Sequence, residues 1–206
     1  MRTFFIFIIA IFIFSSHGNA QLFDSIRSSL DYKPKFLLKF DTRNSFISNQ
    51  YAKTHGIKIG LSFNKTTNIG IGYHWTPKRS IETAVNGTNF TKTDLKFGYA
   101  VIFFEYNFYK SKRWSGEIPV QVGLGKAQYM DVNQATITDK SWLIIYEPAM
   151  TIEYKFFRYF GVGGGVGFRL GLKLNQQIKE SFTAPEYIIR FKIYFGDIYK
   201  EQILKK

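Results

Sequence analysis

The chain has 206 residues and a formal net charge of +13 at pH 7, and 18% of its residues are aromatic. It contains no cysteine, which excludes disulfide bonds and the attachment of a lipid to a cysteine side chain. In a cytosolic protein this charge would suggest a nucleic-acid partner, but the first residues of the chain indicate export and argue against one.

The N-terminus has the three parts of a secretory signal peptide. A basic start precedes an apolar stretch over 4–14, and small residues follow up to Ala20. The stretch is too short to span a membrane comfortably as a helix, because spanning takes roughly 20 residues. We predict a signal peptide over 1–20, cleaved between Ala20 and Gln21, and then a short periplasmic lead-in over 21–35.

Eight later segments alternate large apolar residues with small or polar ones at a period of two, which indicates β-strands. The alternation is clearest over 160–173, where one face is large and apolar and the other is glycine, arginine and lysine. Such a strand suits a wall between lipid and a crowded polar interior. In chain order the predicted strands are 36–43, 56–63, 69–75, 95–101, 114–125, 142–153, 160–173 and 187–196.

The fourth predicted strand is the least regular. The odd residues of 95–101 are apolar and alternate with Lys96, Gly98 and Ala100. We predict that the apolar set faces outward and that Lys96 faces inward. The phase blurs at 102–104, where three consecutive residues are apolar, and we expect a bulge or a barrel end there.

The connections between the predicted strands alternate between long and short. Long polar connections are predicted at 44–55, 76–92, 129–139 and 174–184, and short ones at 64–68, 107–113 and 155–159. An even number of strands with short turns on one side and long loops on the other is typical of a transmembrane β-barrel. We predict an all-β, eight-stranded antiparallel up-and-down barrel over 36–196, with periplasmic short turns and a polar tail over 197–206.

The interior of such a barrel has room only for side chains, and a charge in a confined space must be paired or hydrated. We therefore predict that charged residues pair across the lumen and fill it, with inward glycines giving them room. The predicted polar cluster of the lumen is Lys39, Asp41, Arg43, Lys58, His74, Lys96, Glu117, Glu147, Glu153, Arg169, Arg190 and Lys192. An ion path, and thus a narrow transporter of small molecules, is the alternative.

Aromatic residues cluster near both ends of the predicted outward face, where amphipathic rings favour the membrane interface. The predicted interface aromatics are Tyr73, Trp75, Trp142 and Tyr187 near the long loops, and Trp114, Tyr154, Phe160 and Phe195 near the short turns. The alternative is a soluble exported lipocalin-like binding barrel, which would turn its apolar face inward.

Catalytic and cofactor-binding motifs find little support in the sequence. The glycines near Gly161 do not follow the spacing of a phosphate-binding loop. After cleavage of the signal peptide the chain would contain two histidines and no cysteine, and these residues do not have the spacing of a metal site. His74 is predicted to face inward, with Ser62 inward on the neighbouring strand, but no motif joins them into a nucleophile and base. We predict no cofactor and no enzymatic activity, with a lipid A-modifying enzyme as the alternative.

The architecture resembles the OmpA/OmpX/OmpW-like superfamily of small bacterial outer-membrane β-barrels over residues 34–196. The last predicted strand looks like the aromatic-ended strand read by the barrel-assembly machinery, and it reads Tyr187-x-Ile189-x-Phe191-x-Ile193-x-Phe195. The tail 196–206 is a departure, because many such barrels end at the aromatic residue.

The resemblance implies a place in the outer membrane of a Gram-negative bacterium, in contact with lipid and with lipopolysaccharide, whose phosphates would balance the basic charge. We expect a monomer that acts as an envelope component or through its surface loops. The roles of such barrels range over surface adhesion, envelope integrity, passage of small apolar molecules and lipid A editing, and nothing in the sequence selects among them.

Overall fold

The computed structural model of the chain describes residues 22–47, 50–85, 89–131, 137–157, 159–175, 178 and 180–194. The predicted signal peptide, its cleavage site between Ala20 and Gln21, the interface residue Phe195 and the polar tail lie outside these residues.

Eight antiparallel strands, each paired with the next in chain order, close into a barrel. The strands are β1 (Lys35–Ile47), β2 (Gln50–Phe63), β3 (Thr67–Val85), β4 (Asn89–Lys110), β5 (Trp114–Asp131), β6 (Ile137–Lys155), β7 (Phe160–Lys173) and β8 (Ala184–Ile193). β1 and β8 complete the closure and pair from Leu38 and Ile193 to Asn44 and Tyr187. Closure pairs the backbone groups that an open sheet edge would leave free in lipid. The predicted fold is confirmed.

A short helix, α1, occupies residues 22–30 within the predicted lead-in. The Ser29 hydroxyl at its end hydrogen-bonds to the Thr67 hydroxyl at 2.8 Å, which ties the helix to the start of β3. This is the end of the barrel at which short turns follow Phe63, Lys110 and Lys155. We call it the short-turn end and the opposite one the hairpin end. Among the described residues, no helix has the length and hydrophobicity that crossing a membrane requires.

The strands continue beyond the apolar wall as paired hairpins. β4 has 22 residues, which amounts to about 70 Å at roughly 3.3 Å per residue, whereas a hydrocarbon core is about 30 Å thick. β3 and β4 stay paired as far as Val85 and Asn89, through most of the loop predicted at 76–92. The described parts of the segments 44–55 and 129–139, namely 44–47, 50–55, 129–131 and 137–139, are also strand. The predicted long loops were wrong here, because these polar segments find backbone partners in each other.

β4 turns the opposite face inward from the one predicted. Phe97 is 2% exposed and Tyr99 is 1% exposed, and both point into the barrel. Lys96, the residue before Phe97, lies on the opposite face of the strand and points outward. Residues paired across neighbouring strands share a face, and Tyr99 pairs with the buried His74 on β3 and with the buried Gly125 on β5. The predicted inward position of Lys96 is therefore wrong.

Glycines on the strands beside β4 explain this phase. A Cβ atom at Gly70 would lie 2.8 Å from Cζ of Phe103, and one at Gly125 would lie 2.8 Å from Cβ of Tyr99. The bulky side chains of β4 occupy the space over these glycines, since interiors are filled to close packing. Size alone therefore does not mark the lipid-facing side of this strand.

The irregularities of the ladder lie elsewhere than predicted. β4 stays in regular register through 102–104, and its register shift lies between Asn107 and Tyr109, close to the short-turn end. A second shift lies between Thr76 and Arg79, where β3 leaves the apolar wall. Such register shifts are β-bulges, in which one strand has an extra residue, and bulges are common at the rims of barrels.

The outer wall is apolar at mid-height and aromatic towards both ends. Its exposed apolar side chains include Ile71, Ile102, Val122, Leu124, Ile152, Val166 and Ile189. Of the predicted interface aromatics, Tyr73, Trp75, Trp142 and Tyr187 lie outward on the hairpin side, and Trp114, Tyr154 and Phe160 lie outward on the short-turn side. An exposed apolar surface of this extent is typical of a wall that faces lipid. It contradicts the lipocalin-like alternative, which needs the apolar face inside.

Candidate functional site

The lumen brings together most of the charged residues that the sequence pattern placed there. The buried inward members of the predicted cluster are Lys39, Asp41, Arg43, Lys58, His74, Glu117, Glu147, Glu153, Arg169, Arg190 and Lys192. Two further carboxylates, Glu105 and Glu186, join them. Sequence reasoning missed Glu105 because it lies on the misassigned β4, and it missed Glu186 although this residue shares the parity of Arg190 on β8.

Glu117 is the centre of the ionic cluster nearer the short-turn end. Its carboxylate accepts hydrogen bonds from Lys192 at 2.7 Å, from Arg190 at 2.7 Å and from Lys39 at 3.0 Å. It comes from β5, whereas its partners come from β8 and β1, so the contacts cross the lumen. We call these residues, together with Glu105 and Glu153, the lower cluster.

Glu105 and Glu153 complete the lower cluster on either side of Glu117. Glu105 accepts a hydrogen bond from Lys39 and lies 3.5 Å from Arg190, so both cations bridge two carboxylates. Glu153 lies 3.4 Å from Lys192 and accepts a hydrogen bond from the Tyr194 hydroxyl. Every cation of this cluster therefore has more than one anionic neighbour, which is what compensates charges removed from water.

A second cluster lies around Arg43, closer to the hairpin end. The Arg43 guanidinium donates to Glu186 at 2.7 Å and lies 3.4 Å from Glu147 and 3.5 Å from Asp41. Asp41 in turn lies 3.0 Å from Lys58. We call this set, with Arg169 and His74, the upper cluster. Its members come from β1, β2, β3, β6, β7 and β8, so it also reaches across the barrel.

Neutral side chains complete the coordination of Glu147. Its carboxylate accepts a hydrogen bond from the Tyr99 hydroxyl at 2.8 Å and another from Gln121. Tyr99 stacks on His74 with ring centroids 4.9 Å apart. The inward aromatic of β4 therefore supports the charge network as well as filling space.

The charges of the two clusters balance. Among the residues that the structure describes, the buried cations are the six residues Lys39, Arg43, Lys58, Arg169, Arg190 and Lys192, and the buried carboxylates are the six residues Asp41, Glu105, Glu117, Glu147, Glu153 and Glu186. With His74 neutral, these side chains carry no net charge together. A path selective for ions of one sign needs an excess of the opposite sign along its lining, and these side chains supply none.

An apolar plug fills the lumen above the upper cluster. It contains Ile47, Ala52, Leu95, Phe97, Tyr99, Val101, Ala127, Tyr129, Leu143, Ile145, Ile178 and Phe182. Ile178 and Phe182 belong to the connection between β7 and β8, so this connection packs into the mouth of the barrel. The Phe182 ring lies 4.8 Å from that of Phe97, measured between centroids.

Polar contacts fasten the same connection to the barrel. The Arg169 Nε donates to the Phe182 carbonyl at 3.0 Å, and Lys173 donates to the Ile178 carbonyl at 2.9 Å. The Tyr129 hydroxyl donates to Glu180, whose pKa is raised by burial. Arg169 thus links the apolar plug to the upper cluster, and the two fill the lumen continuously.

His74 is enclosed by this arrangement. Its ring is fully buried, and its Nδ1 lies 3.6 Å from the nearer oxygen of Asp41. Within the part of the chain that the structure describes, no three His, Asp or Glu side chains are grouped so that they could hold a metal ion. The predicted inward neighbour Ser62 lies by contrast at the short-turn mouth, beside Lys65 and Lys112. The structure therefore does not bring Ser62 and His74 together.

Comparison with known proteins gives the fold a wider setting. No family model and no curated protein matches the sequence. The similar solved structures include Neisserial surface protein A, at a TM-score of 0.58 and 13% identity, over 78% of this chain and 97% of that one. They also include Ail, the attachment invasion locus protein of Yersinia pestis, at 0.45 and 12%, over 78% and 96%. The N-terminal β-barrel domain of Pseudomonas aeruginosa OprF follows at 0.45 and 11%, over 78% and 98%.

The fold is that of the small eight-stranded outer-membrane β-barrels. Identity this low establishes the fold alone, and the structure of the wall supplies the rest. The exposed apolar band between two sets of aromatic rings belongs in a lipid bilayer. The chain therefore has the fold of an outer-membrane barrel and a wall suited to span a lipid bilayer.

Proposed function

We propose that this barrel has a filled, non-conducting lumen and that it serves the envelope as a structural component or through its projecting hairpins. The observation that carries the proposal is the continuous filling of the lumen, by paired charges in its lower part and by the apolar plug in its upper part. Lumens of eight-stranded barrels are just wide enough for side chains to fill them.

The orientation that we propose places the short-turn end in the periplasm and the hairpins outside the cell. Short turns face the periplasm in barrels of this kind, and the longer connections face outward. Insertion by the barrel-assembly machinery, a monomeric state and contact with lipopolysaccharide form part of the proposal. The formal charge of +13 favours an anionic surrounding of this kind.

A non-enzymatic role is supported by the position of His74. A general base must come within hydrogen-bond reach of its substrate, but this ring is fully buried between the upper cluster and Tyr99. A lipid A substrate would approach from the outer wall, and the closed strands β2, β3 and β4 separate it from the imidazole.

Single-channel recording in planar lipid bilayers tests the filled lumen. We expect the refolded protein to give no stable current steps. A variant that removes material from the lower cluster, the upper cluster and the apolar plug, Arg190→Ala with Arg43→Ala and Phe182→Ala, should conduct and would show that the assay detects an open lumen. Stable open currents from the unmodified protein would contradict the proposal and favour the narrow transporter.

Lipid A analysis of an expressing strain tests the non-enzymatic part separately. We expect the mass spectrum of its lipid A to match that of a strain with an empty vector. A modified lipid A that disappears with His74→Ala would contradict this expectation.

A further inference from the structure

Three lysines lie on the outer wall just beyond the aromatic residues of the hairpin side. Lys96 on β4 pairs with Gln128 on β5, and Gln128 pairs with Lys140 on β6. One step closer to the middle of the wall, Lys126 on β5 pairs with Trp142 on β6. The corrected phase of β4 is what brings Lys96 to this surface.

Lys126 and Lys96 are diagonal neighbours on this surface. Lys126 pairs with Gly98, two residues along β4 from Lys96, and diagonal side chains of this kind stand about 7–8 Å apart at their Cα atoms. The ammonium group of Lys126 lies 5.9 Å from the centroid of the Trp142 ring. Two cationic side chains therefore project from the wall at the height of the interface aromatics, where lipid headgroups lie.

A cleft opens in the wall beside these lysines. Its volume is about 410 Å³, and its lining includes Tyr73, Trp75, Lys96, Gly98, Lys126 and Gln128. Gly98 forms part of the floor, and the end of the Tyr73 side chain occupies the space that a side chain at 98 would take. A Cβ atom there would lie 2.7 Å from the Tyr73 hydroxyl oxygen, so this hydroxyl group reaches over the floor. We call this set of residues the wall cleft.

The wall cleft continues towards the middle of the membrane as an apolar furrow. Ala100 follows Gly98 on the outward face of β4 and pairs with Tyr73 and Leu124, which are larger. Leu124 is 62% exposed and the next outward residue of β4, Ile102, is 67% exposed, so both offer apolar surface to a chain lying along the wall. The surface therefore changes from cationic to aromatic to apolar over a few residues.

Charge complementarity identifies the occupant. Of the described side chains on this part of the outward face, the lysines number three, namely Lys96, Lys126 and Lys140, against the single carboxylate of Asp94. The lumen charges cancel among themselves, so they do not offset this excess. A phosphate group forms strong charge-assisted hydrogen bonds with the lysine ammonium groups. A sugar ring can pack against the indole of Trp75, and an acyl chain can lie along the apolar furrow.

We propose that the wall cleft binds a phosphorylated glycolipid of the outer leaflet, with phosphate at Lys96 and Lys126, the sugar against Trp75 and an acyl chain in the furrow past Ala100. The inference rests on the outer-membrane orientation of the proposed function. It adds a specific site to the general contact with lipopolysaccharide proposed above.

Native mass spectrometry of the refolded protein in a zwitterionic detergent, with purified bis-phosphorylated lipid A as the probe, tests the site. We expect the double variant Lys96→Gln/Lys126→Gln to bind lipid A about tenfold more weakly or worse, because two charge-assisted contacts are lost. The matched control Lys65→Gln/Lys112→Gln removes the same charge from the short-turn end and should bind within about twofold of the unmodified protein. Equal losses in the two double variants would overturn the proposal, since they would indicate diffuse attraction to a basic protein.

Further binding measurements test the contributions of the phosphate groups and of the acyl chains separately. Dephosphorylated lipid A with the same acyl chains should bind as weakly to the unmodified protein as lipid A binds to the double variant, and inorganic phosphate alone should not compete. Gly98→Val keeps every charge and places a side chain where the Tyr73 hydroxyl group lies, so it should change the shape of the wall cleft and weaken binding as well. If Gly98→Val and the lysine double variant both bound lipid A as well as the unmodified protein does, the proposed site would be disproved.

The folded state of each variant is checked first by the heat-dependent mobility that folded barrels show on gels. Exposed lysine substitutions change stability little, so the double variant provides a test even if Gly98→Val does not fold. Current recording on the same preparations keeps the proposals apart. A conducting protein that still binds lipid A through these lysines would disprove the filled lumen and leave the wall cleft standing.

Discussion

Replacing Glu117 by glutamine tests whether the lumen is a closed ionic core. The substitution keeps the shape of the side chain and removes one negative charge from between Lys39, Arg190 and Lys192, whose nitrogens lie 2.7–3.0 Å from it. The glutamine oxygen can still accept a hydrogen bond, but its amide group would point donors at cations. The balanced lumen would then contain one uncompensated positive charge.

The expected cost follows from the remaining partners. Removing one member of a buried ion pair costs about 3–5 kcal/mol. Lys39 and Arg190 keep Glu105, and Lys192 keeps Glu153 at 3.4 Å. We therefore expect the lower end of that range, about 3 kcal/mol. A second substitution, Lys192→Met, should recover about 1–2 kcal/mol of this in a double-mutant cycle, because it restores the charge balance.

Urea titration of the barrel in phospholipid vesicles, followed by tryptophan fluorescence, measures the free energy of unfolding. Glu153→Gln is the matched control. Its carboxylate contacts one cation, Lys192, at 3.4 Å, and Lys192 keeps Glu117 at 2.7 Å, so the substitution should cost less than Glu117→Gln, about 1–2 kcal/mol. If Glu117→Gln cost less than about 0.5 kcal/mol, water would have to screen the lower cluster, and the description of the lumen as a filled core would be refuted.

Three further changes probe the packing, with the same titration as the measurement. Gly167→Ala should cost about 1–3 kcal/mol of unfolding free energy, because its methyl group would lie 2.7 Å from a β6 side chain. Gly164→Ala, whose methyl group would have its nearest atom at 3.7 Å, should be neutral. Equal effects of the two substitutions would contradict the packing described for Gly167. Phe182→Ala should cost about 3 kcal/mol by emptying the plug, and an unchanged midpoint would mean that its connection does not pack there. Tyr99→Phe should cost about 1–3 kcal/mol, since it leaves the buried Glu147 without a donor at 2.8 Å; a neutral result would mean that Glu147 finds water instead.

The sequence allowed the fold and most of the lumen to be predicted because parity carries structural information in a strand. On β7 and β8, glycine and charge alternate with large apolar residues, and the glycine-rich charged face suits the inside of a narrow barrel. Arg169, Arg190 and Lys192 were placed in this way, and the structure buries all three. The pairing of these residues with particular carboxylates depends on the stagger between strands, which parity does not specify.

The failure at β4 has a physical cause that one strand cannot reveal. Both faces of this strand are apolar, and Phe103 and Phe104 are adjacent residues on opposite faces. The choice between the faces depends on the neighbours, since glycines at 70 and 125 leave space that only the inward set of β4 can fill. Recognising this needs the register of β3 and β5 against β4, and register is a property of the assembled sheet.

The charge balance of the lumen changes what the composition means. Among the described residues, six buried cations and six buried carboxylates cancel, so they add nothing to the formal surplus of +13 of the full sequence. Exposed charges are screened by salt over about 10 Å at 0.1 M, whereas buried pairs are screened much less. Raising the salt concentration should therefore weaken the binding of lipid A at Lys96 and Lys126 and leave the unfolding free energy nearly unchanged.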